Sequence, residues 1–297
     1  MGVYQQISAN KRRTFFIIFI FIFLVSGFFY LIGQYFQSPG SYFVIGLLFS
    51  LFSGIGSYFY SDKIVLFTLG AKPADKKRDF DFYTVTENLC LASGLPMPKL
   101  YVIDDPSPNA FATGRDPKHS VVCATTGLLK ILDRSDLEGV VAHELSHIKN
   151  YDILLATVVS VLVGTISLVA DWILRSFWWR AGDRDNSDRN NRQPIFFLFF
   201  IFALIIMPIV ATLIQLALSR RREFLADASS VLLTRNPNGL ISALEKISRY
   251  PYPMRHATTS TAHLFITNPF KKSSAWFLNL FNTHPPVEER IKMLKQM

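Results

Sequence analysis

The chain has 297 residues and a formal net charge of +9; half of its residues are hydrophobic and only 18% are charged. A soluble domain carries about 25% charged residues, so the deficit indicates apolar segments that need no solvated face. Lysine and arginine flank apolar runs, as at Lys11–Arg13 and Lys76–Arg78, and form no basic stripe interleaved with aromatics. The charge therefore predicts a lipid bilayer as a partner and no nucleic acid.

Four long apolar segments stand out along the chain. They are Thr14–Phe36, Ser41–Ser61, Ile153–Trp172 and Ile195–Leu218. Each approaches or exceeds the roughly 20 residues that cross a hydrocarbon core, which predicts about four transmembrane helices. A buried core helix or a re-entrant segment is the alternative, and it is strongest for the third segment. The first segment is too long for a signal peptide and no cleavage site follows it, so we expect a retained anchor.

The basic flanks orient these segments, because cytoplasmic flanks of membrane spans carry an excess of lysine and arginine. Lys11–Arg13 precede the first segment and Lys72–Arg78 follow the second, which predicts that both flanks are cytoplasmic. The loop between the third and fourth segments is also rich in arginine, yet this topology places it outside. Either the earlier spans dominate, or the last two form a hairpin that does not cross fully.

A soluble-looking stretch separates the second and third segments. It predicts a helix at Arg78–Ser93 that ends at Gly94, then strands at Lys99–Ile103, Asn109–Thr113 and Ser120–Ala124. Ser135 and Glu138 fit a capping box ahead of a further helix. After the fourth segment the pattern stays helical to Leu233, and a shorter helix is predicted at Leu240–Arg249. Cys90 and Cys123 belong to no Cys/His cluster, which predicts two reduced, buried thiols.

The helix after Ser135 carries the pattern His143-Glu144-Leu145-Ser146-His147. Positions i and i+4 share one face of a helix, so both imidazoles can reach one metal ion. Glu144 projects beside that ion, where it can accept a proton from an attacking water without filling the coordination shell. The pattern predicts a zinc hydrolase with one ion per chain and with Glu144 as its catalytic residue.

Catalytic zinc usually takes three protein ligands. A third histidine in the extended pattern is excluded, because Asn150 and Ile153 occupy the positions of its glycine and histidine. Glu223 is the best glutamate, because Asp227 follows it at i+4 and can orient a bound histidine. The alternative is that Glu223 only pairs with Arg220 or Arg222. Two spans separate His147 from Glu223, so both lie on the same side of the membrane.

Weaker candidates surround this set. His284 and the Arg220–Arg222 cluster, Arg222 included, are candidate donors to the developing oxyanion. The strand that starts at Asn109 could pair with an extended substrate, or it could be an ordinary sheet strand. Asp152 could cap the junction before the third span. The other histidines, His119, His256 and His263, are expected to be structural or to lie on the surface.

Several stretches resemble HtpX-type membrane metallopeptidases, which are related to the Ste24 prenyl-protein proteases and the Oma-type mitochondrial proteases. The stretches are Val141–His147 with Asn150 and Asp152, Asn109–Gly114, Ser219–Asp227, Ala262–Pro269 and Thr283–Ile291. The resemblance implies a mainly α integral membrane protein, a helical bundle with about four transmembrane helices plus a gluzincin-like α+β catalytic domain with a small sheet. By position it implies zinc ligands at His143, His147 and Glu223. Phe224 stands where tyrosine is common, which leaves a local hydroxyl contact in doubt.

The predicted organisation follows from these assignments. It comprises a two-span anchor (1–70), the first part of the catalytic domain (71–152), a membrane hairpin (153–218) with a polar loop (175–193), and the second part of the domain (219–297). The resemblance implies a bacterial inner-membrane endopeptidase with a cytoplasmic active site. Its expected substrates are misfolded or damaged proteins, membrane proteins among them, under stress. The alternatives are a site-selective processing protease of the Ste24 type, a membrane transporter and an inactive zinc-binding scaffold.

Overall fold

The computed structural model describes residues 3–181, 220–270 and 285–297, and the side chains of 169–181 are not among the features described. The described chain is mainly helical and contains one small mixed sheet. His284, the fourth apolar segment and most of the polar loop lie outside the described residues.

Two helices form the membrane part of the described chain. Helix α1 spans Val3–Tyr35 and α2 spans Pro39–Thr68, and both are long and apolar enough to cross a bilayer. Large apolar side chains face outward from them, for example Phe23 at 71% and Phe52 at 73% exposure. Such contiguous apolar surface is suited to lipid rather than water. The two helices pack directly on each other, and the Ser26 and Ser50 hydroxyls meet at 3.3 Å.

The third predicted span has a different setting. It lies in helix α6, Asp152–Ala181, which continues beyond the predicted end at Trp172. The first half of α6 is buried by the protein, with Leu155, Val158 and Leu162 fully covered. In the described chain it passes as a span only when joined to the preceding helix, from which it is bent by 84°. The described residues therefore contain two candidate spans, and a total of four transmembrane helices stays a prediction.

The sheet has the order β1-β2-β4-β3, with β1 at Lys72–Pro73, β2 at Lys99–Ile103, β3 at Ala110–Asp116 and β4 at His119–Thr125. Strands β2 and β4 are parallel, the other pairs are antiparallel, and β3 forms an edge. Side chains alternate between the two faces of a strand. Ala110 and Ala112 accordingly join the core of the soluble helices, whereas Phe111 joins the core formed with the end of α2 and with α6.

Helix α3, Phe80–Ser93, ends at Gly94 with a φ of 70°, as the sequence predicts. A short α4, Thr126–Ile131, leads into α5, Arg134–Lys149, which carries the HExxH pattern. The predicted cap of α5 is wrong: Asp133 is the N-cap and forms the capping box with Asp136. The observed capping pair lies two residues before the predicted pair, Ser135 and Glu138. The Ser135 hydroxyl instead accepts a hydrogen bond from Asn236 at 2.9 Å.

Three further helices surround α5. They are α7 at Arg220–Thr234, α8 at Pro237–Arg249 and α9 at Val287–Leu294. Helix α8 starts three residues before the predicted Leu240, because Asn236 caps it and proline is well suited to the first helical position. Helices α7 and α8 pack on α5, and α9 packs on both of them.

Two glycines allow α5 and α8 to approach closely. A Cβ on Gly139 would lie 2.6 Å from the Leu240 nitrogen, and one on Gly239 would lie 2.5 Å from the Ser135 carbonyl oxygen. Both obstacles are backbone atoms, which cannot rotate away. The absence of two side chains therefore sets the distance between the active-site helix and its neighbour.

We predict that Gly139→Ala lowers the free energy of unfolding by about 1–3 kcal/mol, the usual cost of overpacking, although alanine favours helices. Chemical denaturation of the purified protein in detergent measures the change. Gly56→Ala is the matched control, because Gly56 is helical and nothing lies within 4 Å of its added Cβ. Equal stability of the two variants would contradict the close approach of α5 and α8.

Candidate active site

The two histidines of the HExxH pattern point at one place. His143 and His147 are one helical turn apart on α5, and their Nε2 atoms are 3.2 Å apart. Glu223 of α7 faces them, with Oε2 3.8 Å from His143 Nε2 and Oε1 3.5 Å from His147 Nε2. One donor atom from each side chain lies within 4.8 Å of the others. The structure thus brings together the three residues predicted as ligands.

This arrangement fits a tetrahedral metal ion. Two nitrogens about 2.05 Å from such an ion are separated by about 3.3 Å, close to the observed 3.2 Å. The Nδ1 atom of each ring contacts an aspartate carboxylate. An ionised carboxylate can accept a hydrogen bond but cannot donate one. In the neutral rings Nδ1 therefore carries the hydrogen and the two Nε2 lone pairs face each other. A cation between them relieves that repulsion, and the Glu223 carboxylate adds negative charge.

Two buried aspartates hold the histidine rings from behind. Asp227 Oδ1 lies 2.8 Å from His143 Nδ1, and Asp152 Oδ2 lies 3.1 Å from His147 Nδ1. A carboxylate on the far nitrogen fixes the tautomer and direction of a metal-binding imidazole. The sequence predicts this function for Asp227. For Asp152 it predicts a cap, and a contact with His147 is an additional finding.

Glu144 is almost fully buried beside the two rings, at 2% exposure. Burial raises the pKa of its carboxyl to about 7, and the nearby Glu223 charge acts in the same direction. The His147 ring and the backbone N–H of Ala112 on the edge strand β3 oppose this rise. A carboxylate that binds and releases a proton near neutral pH is suited to general acid–base chemistry.

Arg290 is the residue of this site that the sequence interpretation missed. It lies on α9, is fully buried, and forms a fork with Asp227: Nε–Oδ2 is 2.9 Å and Nη2–Oδ1 is 2.6 Å. Its Nη1 donates to the Ile266 carbonyl at 2.9 Å and lies 3.9 Å from Glu223. The resemblance quoted the stretch Thr283–Ile291, but no local spacing marks an arginine there as part of a site.

The arginine sets the charge state of its neighbours. Burial opposes the charge on Asp227, but Arg290 and His143 outweigh burial and lower the pKa of Asp227 to about 2. Burial lowers the pKa of His143, and the charge of Arg290 adds to this effect. Burial also opposes a charge on His147, but Asp152 and Glu223 outweigh it and raise the pKa of His147 to about 9. The surroundings therefore shift the pKa values of the two histidines in opposite directions, down for His143 and up for His147.

The weaker candidates have mixed outcomes. Asn109 ties the start of β3 to a neighbouring segment: its amide bonds both the carbonyl and the N–H of Thr267, at 3.0 and 3.3 Å. Strand β3 lies at the sheet edge, but the Ala110 carbonyl already accepts from Ile266 at 2.9 Å. Pairing with substrate along the rest of this edge stays a prediction.

Two other candidates lie at the cavity that contains the site. Arg222 lines it, and its Nη1 lies 3.3 Å from Asp152. His263 also lines it and is buried, with Nε2 3.0 Å from the Ala156 carbonyl and 3.2 Å from the Ser160 hydroxyl. Of the three histidines without an assigned function, His119 and His256 are on the surface as expected, whereas His263 has a place beside the site. Oxyanion donation by Arg222 stays a prediction, and His284 lies outside the described residues.

Two histidines on one helix, a buried glutamate beside them and a second glutamate opposite as third ligand form the arrangement of a metallopeptidase. This is the class of protein that the fold and the site define. A model of peptidase family M48 matches residues 76–297 of the chain. Since it covers most of the sequence, the chain belongs to this family.

Full-length relatives agree with that assignment. Proteins described as "Protease HtpX homolog" are 45% identical in Caldanaerobacter subterraneus subsp. tengcongensis and 44% in Tropheryma whipplei, each covering 99% of this chain and 98% of the relative. Another such protein, from Ligilactobacillus salivarius, is 43% identical, and the alignment covers 99% of this chain and 100% of the relative. The HtpX-type resemblance is thereby confirmed. A crystal structure of S. mikatae Ste24p aligns with a TM-score of 0.49 and 18% identity, over 94% of this chain and 62% of that one.

We predict that Arg290→Met lowers the free energy of unfolding by about 3–5 kcal/mol, because it leaves the Asp227 charge buried without its partner. Arg290→Lys does not restore stability, since an ammonium cannot form the two-pronged contact. Chemical denaturation of metal-free protein measures both variants. Arg249→Met is the control, because Arg249 is exposed and pairs weakly with Glu245 at 3.6 Å. A loss for Arg290→Met no larger than for this control would contradict the proposed importance of the fork.

Proposed function

We propose that this chain is a membrane-bound zinc endopeptidase that cleaves misfolded or damaged proteins, including membrane proteins, in stress quality control. The observation that carries the proposal is the position of Glu144, buried beside three side chains whose donor atoms lie within 4.8 Å of one another. His143, His147 and Glu223 would hold one zinc ion in a domain of gluzincin type. The family match and the full-length relatives support peptide hydrolysis as the reaction.

The proposed mechanism assigns a step to each group of the chain. Zinc, when bound, acidifies water towards a pKa of about 7 and polarises a carbonyl. Glu144 takes the proton as the water attacks the scissile carbonyl carbon, and later transfers it to the leaving amine. Asp227 and Asp152 keep the histidine rings directed at the site. Arg222 is the described candidate for stabilising the developing oxyanion.

We further propose a bacterial inner-membrane location with the active site facing the cytoplasm. Arg12 and Arg13 are exposed where α1 enters its apolar stretch, and a basic flank favours the cytoplasmic side. Asn10, two residues before Arg12 on the same helix, contacts Asp152 of the site at 2.8 Å. The site and the basic flank therefore lie at the same end of α1.

A transporter is less well supported. It would need ionisable groups well inside the spans, whereas the described carboxylates and histidines of the site belong to α5, α7 and the first residue of α6. A site-selective processing protease has the same chemistry and differs only in substrate range. An unfolded protein without a defined cleavage site can serve as the test substrate. A quality-control protease should cleave it, whereas a site-selective processing protease should not.

We predict that the wild type, purified in detergent with zinc, degrades casein, and that Glu144→Gln slows this by about 10²- to 10⁴-fold through loss of the general base while still binding zinc. Glu138→Gln is the matched control on the same helix, because the half-exposed Glu138 pairs only weakly with Arg134, at 3.6 Å; this variant should retain activity. Gel electrophoresis and bound-zinc analysis measure both properties. A zinc-loaded wild type that leaves casein intact would favour the processing alternative.

We also predict that zinc raises the melting temperature of metal-free protein, because a ligand that binds only the folded state stabilises it. Loss of a residue that only orients a ligand weakens metal binding by about 10- to 100-fold. Because Glu223 is proposed as a ligand itself, Glu223→Ala should weaken zinc binding by more than this. Glu245→Ala removes a half-exposed glutamate of α8, and this variant should respond to zinc as the wild type does. Wild-type zinc affinity in Glu223→Ala would show that the third ligand is a different residue.

A further inference from the structure

An asparagine of the first membrane helix reaches the candidate metal site. Asn10 lies on α1 but is buried, at 3% exposure. Its Nδ2 donates to Asp152 Oδ1 at 2.8 Å and to the Asn150 carbonyl at 3.1 Å. Its Oδ1 accepts from Arg222 Nη1 at 3.3 Å. One amide side chain thus joins α1, the α5–α6 junction and α7, which are distant in sequence.

The junction that Asn10 contacts needs external support. Helix α5 turns into α6 by 84°, and the corner residue Tyr151 adopts a φ of 58°. A non-glycine residue in this left-handed region carries backbone strain. The next residue of α1, Lys11, places its Nζ 4.3 Å from the centre of the Tyr151 ring. Two successive residues of the membrane helix therefore hold the corner.

The α5–α6 junction is important because it brings the Asp152 carboxylate into contact with the His147 ring. The two Asp152 oxygens are used differently: Oδ2 lies 3.1 Å from His147 Nδ1, and Oδ1 receives the Asn10 amide and the Arg222 guanidinium. Fixing one oxygen orients the carboxylate plane and so the other oxygen. The direction of the His147 ring then depends on a residue of α1.

We propose that Asn10 is a positioning residue of the metal site, and that α1 is a structural part of the active site as well as a membrane anchor. The chain of contacts runs from Asn10 to Asp152 and then to His147. Without the amide, the Asp152 carboxylate can turn away and His147 loses its fixed direction. Zinc affinity then falls although no ligand has changed. This inference rests on the proposed metal site.

The test compares zinc affinity in the full-length protein in detergent, by competition with a chelating dye, for the wild type and Asn10→Leu. Leucine keeps the approximate size and removes all three hydrogen bonds. We expect about tenfold weaker zinc binding, within the range for loss of an outer partner of a ligand, and an altered visible spectrum of the cobalt-substituted protein. If Asn10→Leu does not fold, Asn10→Ala replaces it.

Two controls separate positioning from general packing. Gln34→Ala removes an exposed amide at the other end of α1, and Ser26→Ala removes a buried hydroxyl between α1 and α2. Both should leave zinc affinity and the cobalt spectrum unchanged, even where Ser26→Ala lowers the melting temperature. If Ser26→Ala weakens zinc binding as much as Asn10→Leu does, the effect is one of packing and the inference fails.

A double-mutant cycle tests the route of the effect. If Asn10 acts through Asp152, Asn10→Leu has no further effect on zinc affinity in an Asp152→Ala background. An equal tenfold loss in both backgrounds would overturn the inference, as would unchanged zinc affinity in Asn10→Leu. A wild type that binds no zinc contradicts the proposed function itself, which is a different outcome.

Discussion

The structure depends on two buried contacts, Asp227 with His143 and Asp152 with His147, which turn both Nε2 atoms towards one point. Without these contacts each ring could rotate about its side-chain bonds, and the two Nε2 atoms, which are 3.2 Å apart, would no longer face one point. Four buried carboxylates lie around the site, those of Asp152, Asp227, Glu144 and Glu223. Arg222 and Arg290 are the arginines beside them in the described chain, and a divalent ion is suited to the remaining charge.

These charges are buried, so their partners come from separate parts of the fold. Removing a charge from water costs several kcal/mol unless it is paired and hydrogen-bonded. Arg290 arrives on α9 near the C-terminal end of the chain, and Asn10 arrives on α1 near the N-terminal end. Within the described residues, the site therefore depends on contacts from α1 as well as from the soluble helices.

Much of this arrangement could be predicted from the sequence. The i, i+4 spacing of His143 and His147 specifies a shared helical face, and Glu223 with Asp227 repeats that spacing on another helix. Strand Lys99–Ile103 and the end of α3 at Gly94 also agree, because alternation and glycine are local signals. The identity of the cap did not follow, since Asp133 and Ser135 are both good caps and tertiary contacts decided between them.

The contacts that were missed are those made over long sequence separations. Arg290 lies 63 residues from Asp227, and Asn10 lies 142 residues from Asp152. No spacing rule connects such pairs. Helix α6 likewise has the composition of a membrane span, but composition does not show that its first half is covered by the protein. A sequence pattern describes the chemistry of a single segment, whereas tertiary packing determines which residues that segment contacts.

The central claim is that two histidines and one glutamate hold zinc beside Glu144. X-ray absorption at the zinc edge, measured on the purified full-length protein, tests it most directly. The account predicts two imidazole nitrogens at about 2.0–2.1 Å with oxygen ligands at about 2.0–2.2 Å completing the shell. A sulfur ligand, or a shell of three or more imidazoles, would contradict it.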